Sequence, residues 1–104
     1  MMLQAQLSHS SMHGAAMARA NLQGAGLSHC ELSGAVFVCA HLERADLTGA
    51  TLVKASFEGA KLDCATLSTA KMVDANLENC SLNRALLDLT DLSRANLHGV
   101  MQLL

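Results

Sequence analysis

One large apolar residue returns every fifth position along this chain, from Leu7 to Leu97, nineteen times without a slip. Fourteen of these residues are Leu, and the others are Met12, Met17, Met72, Phe37 and Phe57. Two positions before each stands a small residue, Ala in fifteen cases and Ser10, Cys30, Cys80 or Thr90 in the rest. The stretch ADLTGATLVKASFEGAKLDCATL, residues 45–67, shows both series side by side. An internal period of this kind constrains the fold more tightly than any local propensity.

Neither regular element buries a five-residue period. On an α-helix, five residues advance the chain by about 500°, so the large residues would spiral around the whole surface. In a continuous strand, side chains alternate with period two, and an odd period sends every second large residue to the other face. A chain that turns a corner every five residues does bury the pattern. The small and large residues are two apart, so a short extended piece points both inward and the residue between them outward. The next two residues make the corner. Four corners close a square coil of about 20 residues, and coils stacked about 4.8 Å apart make a rod of roughly 24 Å. The expected fold is all-β, a quadrilateral parallel β-helix (a solenoid) of nearly five 20-residue coils built from the nineteen repeats.

Six of the seven Gly occupy the second position after a large residue: Gly14, Gly24, Gly34, Gly49, Gly59 and Gly99. In a turn that begins at the large residue, this slot is the third position, which in a type II turn requires positive φ. Corners that carry Arg, Lys, Cys or Thr in the slot are expected to use another turn type. The inward Ala has a different origin. Ala is depleted in strands, but a narrow tube leaves no room for a larger side chain beside the Leu layers. Composition agrees, because 51% of the chain is apolar while Trp, Tyr and Pro are absent and Phe occurs twice.

The tripeptides ANL at 20–22, 75–77 and 95–97, ADL at 45–47, and the run A-x-[LFM]-x-x over residues 5–99 resemble the pentapeptide-repeat family. The resemblance implies that the coil is right-handed, which the spacing alone does not give. Several members of the family bind no known ligand. One branch of the family protects or inhibits bacterial type II topoisomerases as a dimeric rod that imitates duplex DNA. Other members are secreted effectors or modules attached to other domains. No insertion breaks the register, so residues 1–104 read as a single domain, with repeats over 5–99 and a short apolar tail over 100–104.

Seven Lys and Arg against nine Asp and Glu leave a net charge of −2. This excludes a strongly basic nucleic-acid binder or a strong attraction to anionic membranes. No apolar run approaches the about 18 residues of a membrane span. The start MMLQAQLSHSS lacks the charge-then-apolar pattern of a secretory signal. The four Cys at 30, 39, 64 and 80 include no CxxC pair, so the common zinc and redox motifs are absent. Free thiols in a reducing cytoplasm are the simplest reading.

Residue number modulo 20 sorts the outward positions into four columns. Starting from residues 5, 10, 15 and 20, their net charges are −2, 0, −1 and +1. No column is a stripe of carboxylates spaced like phosphates, a departure from the topoisomerase-directed branch. The column starting at residue 15 carries Ala16, Ala18, Val36 and Val38 outward, beside Cys39. These four residues are the candidate protein-docking patch. Val100, Met101, Leu103 and Leu104 are candidates to cover the exposed edges of the last coil or to contact a second copy, giving a homodimer through the C-terminal end.

Other chemistry is not supported. His9 and His29 differ by 20 and should meet at one corner, with His13 near in sequence, but a zinc site needs a third and fourth ligand. Phe37 and Phe57 should stack inside. Cys30 and Cys80 fall in the inward slot, while Cys39 and Cys64 fall at corners. His41 follows Cys39 by two positions without forming a nucleophile–base–orienter set. No catalytic residue, cofactor or metal is expected. The expected function is a non-catalytic protein-interaction or structural scaffold with a protein partner. The alternative is a DNA-mimicking dimer that binds or protects a type II topoisomerase such as gyrase. Direct nucleic-acid binding is not expected.

Overall fold

The computed structural model describes residues 5–102, and over them the chain winds as a β-solenoid. Parallel bridges join each outward middle residue to the residue 20 further on, from Gln6↔Gly26 to Ser81↔Met101. They fall into four columns, which begin at Gln6, Ser11, Ala16 and Asn21. Each bridge involves a single residue, because the next corner arrives before a longer strand can form. The Cα atoms extend over 29 × 23 × 22 Å.

The hydrogen bonds explain how a five-residue repeat holds together. In the repeat 30–34, the Glu31 amide donates back to the Ser10 carbonyl at 2.9 Å, and the Leu32 amide donates forward to Thr51 at 2.7 Å. The Gly34 amide donates forward to Val53 at 2.9 Å, and the Cys30 amide closes the previous corner on the Leu27 carbonyl at 3.3 Å. Four of the five amides are thereby bonded within the backbone, and all but one of these bonds run between coils. Backbone groups buried without partners would be costly, and this arrangement leaves only the first corner residue, here Ser33, to be satisfied from outside the ladder.

The corners correct one expectation. All nineteen have positive φ at the third turn position, between 56° and 75°, and thirteen of these residues are not Gly. Arg19, Cys39, Arg44, Lys54, Cys64, Thr69, Arg84 and Arg94 share the conformation of the Gly corners rather than adopting another turn type. The residue before each of them has no positive φ, which is the type II pattern. Left-handed backbone costs a non-Gly residue roughly 1–2 kcal/mol. At Lys54 the corner is closed by the Ala55 amide on the Leu52 carbonyl at 3.1 Å, and the Lys54 amide donates to the Val73 carbonyl of the next coil at 2.9 Å. A type I turn would keep the closing bond but turn the third-position amide away from the next coil, and the last-coil corners at Leu89 and Arg94 hold the same conformation with the closing bond alone. An intramolecular hydrogen bond contributes about 0.5–1.5 kcal/mol net, so at the inner corners the ladder offsets much of the left-handed cost.

The core is the set of inward slots. Every large centre from Leu22 to Leu82 and every small residue from Ala25 to Cys80 is at most 2% exposed. The first and last coils, with Leu7, Met12, Met17, Leu87 and Leu92, pack against it half-buried. Phe37 and Phe57 stack at 4.8 Å between centroids and 9° between planes, the separation that coil stacking imposes.

Three exceptions to inward Ala have a reason. The Cys30 thiol donates to the Leu7 carbonyl at 2.8 Å, and the Cys80 thiol donates to the Phe57 carbonyl at 2.8 Å. The Thr90 hydroxyl donates to the Leu67 carbonyl at 2.7 Å. Each partner lies 23 residues earlier, so a small donor in this slot ties its coil to the one before.

Candidate interaction surface

The residues free to meet a partner are those that neither fill the core nor hold a corner. Many polar side chains hold corners. Asn21, Asp46, Asn76, Asp91 and Asn96 each accept the amide two residues on, from Gln23, Thr48, Glu78, Ser93 and His98, at 3.0–3.3 Å. The amide they satisfy is the one the ladder leaves over. This local Asx turn is open only to a short side chain ending in oxygen. The requirement is the physical content of the ADL and ANL tripeptides, and their recurrence was the signal in the sequence.

Most of the negative charge is likewise engaged. Asp46 and Asp91 also accept hydroxyls from Thr48 and Ser93 at 2.6 Å, and this bonding holds the Asp91 carboxyl below the usual carboxylate range. Asp63 accepts the Ser81 hydroxyl and the Asn83 amide. Asp74 takes a forked contact from Arg94, Nε to Oδ1 at 2.8 Å and Nη2 to Oδ2 at 3.3 Å. The hydrogen bond from Arg94 lowers the Asp74 carboxyl below its ordinary value. His13 lies 3.4 Å from Glu31, and His41 lies 3.8 Å from Glu43. Glu58, Glu78 and Asp88 are the acids without a hydrogen bond or ion pair among the described residues.

The candidate residues Ala16, Ala18, Val36 and Val38 lie in the column starting at residue 15. Ala16 and Ala18 are exposed, Val38 is half-buried, and Val36 is 37% exposed. The bridges Ala16↔Val36↔Ser56 set the patch in three successive levels. Cys39 is exposed at its edge, with its sulfur 3.2 Å from where a Gly59 side chain would begin. Arg19 stands at one end of the patch and Glu58 at the other, and neither has an ion-pair partner among the described residues.

At the C-terminal end, Val100 packs half-buried against the core, while Met101 bridges to Ser81 and is 60% exposed. Leu103 and Leu104 lie outside the described residues. Leu86, Leu89 and Leu97 are also exposed near this end.

His9 and His29 come together as their spacing implies, with ring centroids 5.1 Å apart and planes 14° apart. Near-parallel rings point their nitrogens side by side rather than at a common point. Among the described residues no three His, Cys, Asp or Glu side chains form a group able to hold a metal. Cys30 and Cys80 are buried, Cys39 and Cys64 exposed, and all four are free thiols. Burial pushes the Cys80 thiol up to about 12. No helix among the described residues is long and apolar enough to cross a membrane.

The model for pentapeptide repeats, in eight copies, matches residues 3–38, 40–75 and 70–101. The chain belongs to the pentapeptide-repeat family. Among solved structures of pentapeptide-repeat proteins it resembles HetL, involved in heterocyst differentiation regulation, from the cyanobacterium Nostoc sp. strain PCC 7120. The identity is 30% and the TM-score 0.77, over 97% of this chain and 46% of HetL. This chain thus spans about half the length of HetL. It also resembles alr5209 of Nostoc PCC 7120, at 23% identity and a TM-score of 0.74 over 96% of this chain and 86% of that one. Rfr23 of Cyanothece 51142 aligns at 23% identity and 0.62 over 90% and 84%. These last two support the pentapeptide-repeat fold alone. A comparison with curated protein sequences gives no match.

Proposed function

We propose that this protein is a non-catalytic interaction scaffold: a rigid rod that offers a flat side face of short side chains to a protein partner. The detailed architecture in this reading is a single domain of nearly five right-handed, four-sided coils, working in the cytoplasm. The observation that carries the function is the outward set of exposed Ala16, Ala18 and Val36 with half-buried Val38. Solvent-facing Val gains nothing for the folded chain, whereas exposed apolar patches serve contacts between proteins. Most carboxylates in the other columns are held by corner caps or pairs, as Asp46, Asp63, Asp74 and Asp91 are, whereas the apolar set carries no such internal role. The same occupation argues against imitation of DNA, because Asp46, Asp63, Asp74 and Asp91 already have partners.

The test compares the wild type with a Val36→Glu, Val38→Glu double variant in affinity capture from the native host, followed by titration of the purified partner. The expected result is a partner held by the wild type and lost by the variant. Equal retention by both overturns the docking reading. A gyrase supercoiling assay separates the alternative: inhibition or protection at micromolar protein would favour the DNA-mimic reading over this one. In the scaffold reading, Val100, Met101, Leu103 and Leu104 cover the final coil or meet a second copy. Deleting residues 100–104 should then change the mass in solution or lower stability.

A further inference from the structure

We propose that the face bearing Val36 and Val38 pairs with the same face of a second copy, antiparallel, about a twofold axis at the level of those two residues. The proposal rests on the docking reading of that face and names its occupant. The bridge column Ala16↔Val36↔Ser56 orders the face into levels. The first level carries Ala16, Ala18 and Arg19. The second carries Val36, Val38 and Cys39, and the third Ser56, Glu58 and Gly59. A twofold axis lying in the face and across the rod sets each column against itself and reverses the order of the levels. The valines then meet the valines of the second copy. The level of Arg19 lies opposite the level of Glu58 in the second copy, on both sides of the axis.

The charges choose this arrangement over its competitors. Arg19 and Glu58 have no ion-pair partner among the described residues. They sit two levels apart in their own chain, about 10 Å, which is too far to pair. Parallel side-by-side packing sets Arg19 against Arg19 and Glu58 against Glu58, an unfavourable meeting of like charges. Shifting the antiparallel register by one level sets Val36 and Val38 against Ser56 and Glu58 and buries a carboxylate on an apolar face. Only the axis at Val36 and Val38 joins the apolar residues and also sets Arg19 opposite Glu58, while Glu78, unpaired one level further on, lies beyond the overlap. The overlap covers three levels, about 14 Å along the rod. That is small beside the interfaces of stable complexes, so the dimer is a weak one that forms at high protein concentration.

Sedimentation equilibrium at rising protein concentration tests the pairing, with circular dichroism confirming that each variant is folded. The wild-type mass should rise toward twice the monomer. Val38→Glu should remove the rise. Arg19→Glu and Glu58→Arg should each weaken association by about tenfold, and the double exchange should restore it to within about threefold of wild type. A wild type that stays monomeric, a double exchange no better than the single changes, or a dimer lost on deleting residues 100–104 but kept in Val38→Glu would each overturn the proposal. If the wild type stays monomeric while the Val36→Glu, Val38→Glu variant still loses a host partner, the self-pairing falls and the docking reading stands. If that variant loses neither self-association nor a host partner, both fall.

Discussion

The ring of His29 occupies the space where a side chain on Gly49 would begin, with Cε1 and Nδ1 2.5 Å from that point. The ring also stacks on His9, so one corner column is filled by two imidazoles resting on a bare backbone. Gly14 has the same left-handed backbone with nothing within 4 Å of its Cβ position. Gly14→Ala should therefore report the backbone cost alone, about 1–2 kcal/mol. Gly49→Ala should cost about 0.5–1.5 kcal/mol more, because His29 must swing aside and leave its stack. Urea unfolding of Gly49→Ala with and without His29→Ala checks this, and the excess should vanish when the ring is absent.

Asn76 accepts the Glu78 amide at 3.0 Å, while Ser56, one level earlier in the same column, makes no such bond among the described residues. Asn76→Ala should destabilise the rod by about 0.5–1.5 kcal/mol, and Ser56→Ala should be close to neutral. Equal effects of the two substitutions would remove the Asx turn as the reason for the tripeptide.

Inside the tube each slot should reject the side chain of the other. Leu52 is fully buried, so Leu52→Ala should cost about 2–5 kcal/mol through lost contact and a residual cavity. Ala50 is equally buried, and Ala50→Leu should cost about 1–3 kcal/mol or more through overpacking. Denaturant midpoints measure both. A neutral Ala50→Leu would show that the tube is wider than the Leu layers imply.

The thiols should divide by position. Cys39 and Cys64 should react quickly with an aromatic disulfide reagent at pH 8, and Cys30 and Cys80 only after unfolding. The folded chain keeps its proton on Cys80 up to about 12, whereas an unfolded thiol loses it near about 8.5. Between these values the unfolded chain binds fewer protons, so stability should fall as pH rises through the window. Cys80→Ala should flatten that part of the curve.

The Asp74–Arg94 pair should show the opposite pH dependence. Arg94 depresses the Asp74 carboxyl, so its stabilisation is present at neutral pH and fades as pH falls below the usual aspartate range. The difference in Tm between the wild type and Asp74→Asn should close in acid. It should also shrink in high salt, because both side chains face solvent.

Much of the architecture was legible in residue spacing. The positions of Leu52 and Ala50 inside, the meeting of His9 with His29 and of Phe37 with Phe57, and the exposure of Cys39 and Cys64 all follow from counting by five and by twenty. The outward placement of Ala16, Ala18 and Val36 follows in the same way. What the occupants of the surface do was less legible. Asp46 and Asp91 look like free surface charge in a count of columns, yet their carboxylates are held by Thr48 and Ser93.

The sequence alone determined the period, the two inward slots and the place of every corner, because a covalent repeat carries that information in itself. Only the tertiary structure decided that Arg19, Lys54 and Cys64 adopt the same left-handed corner as Gly. It also decided that Cys30, Cys80 and Thr90 tie coils together through carbonyls 23 residues away. The physical reason is the same in both cases. These conformations are held by hydrogen bonds between coils, and the energy of such bonds does not appear in any five-residue window.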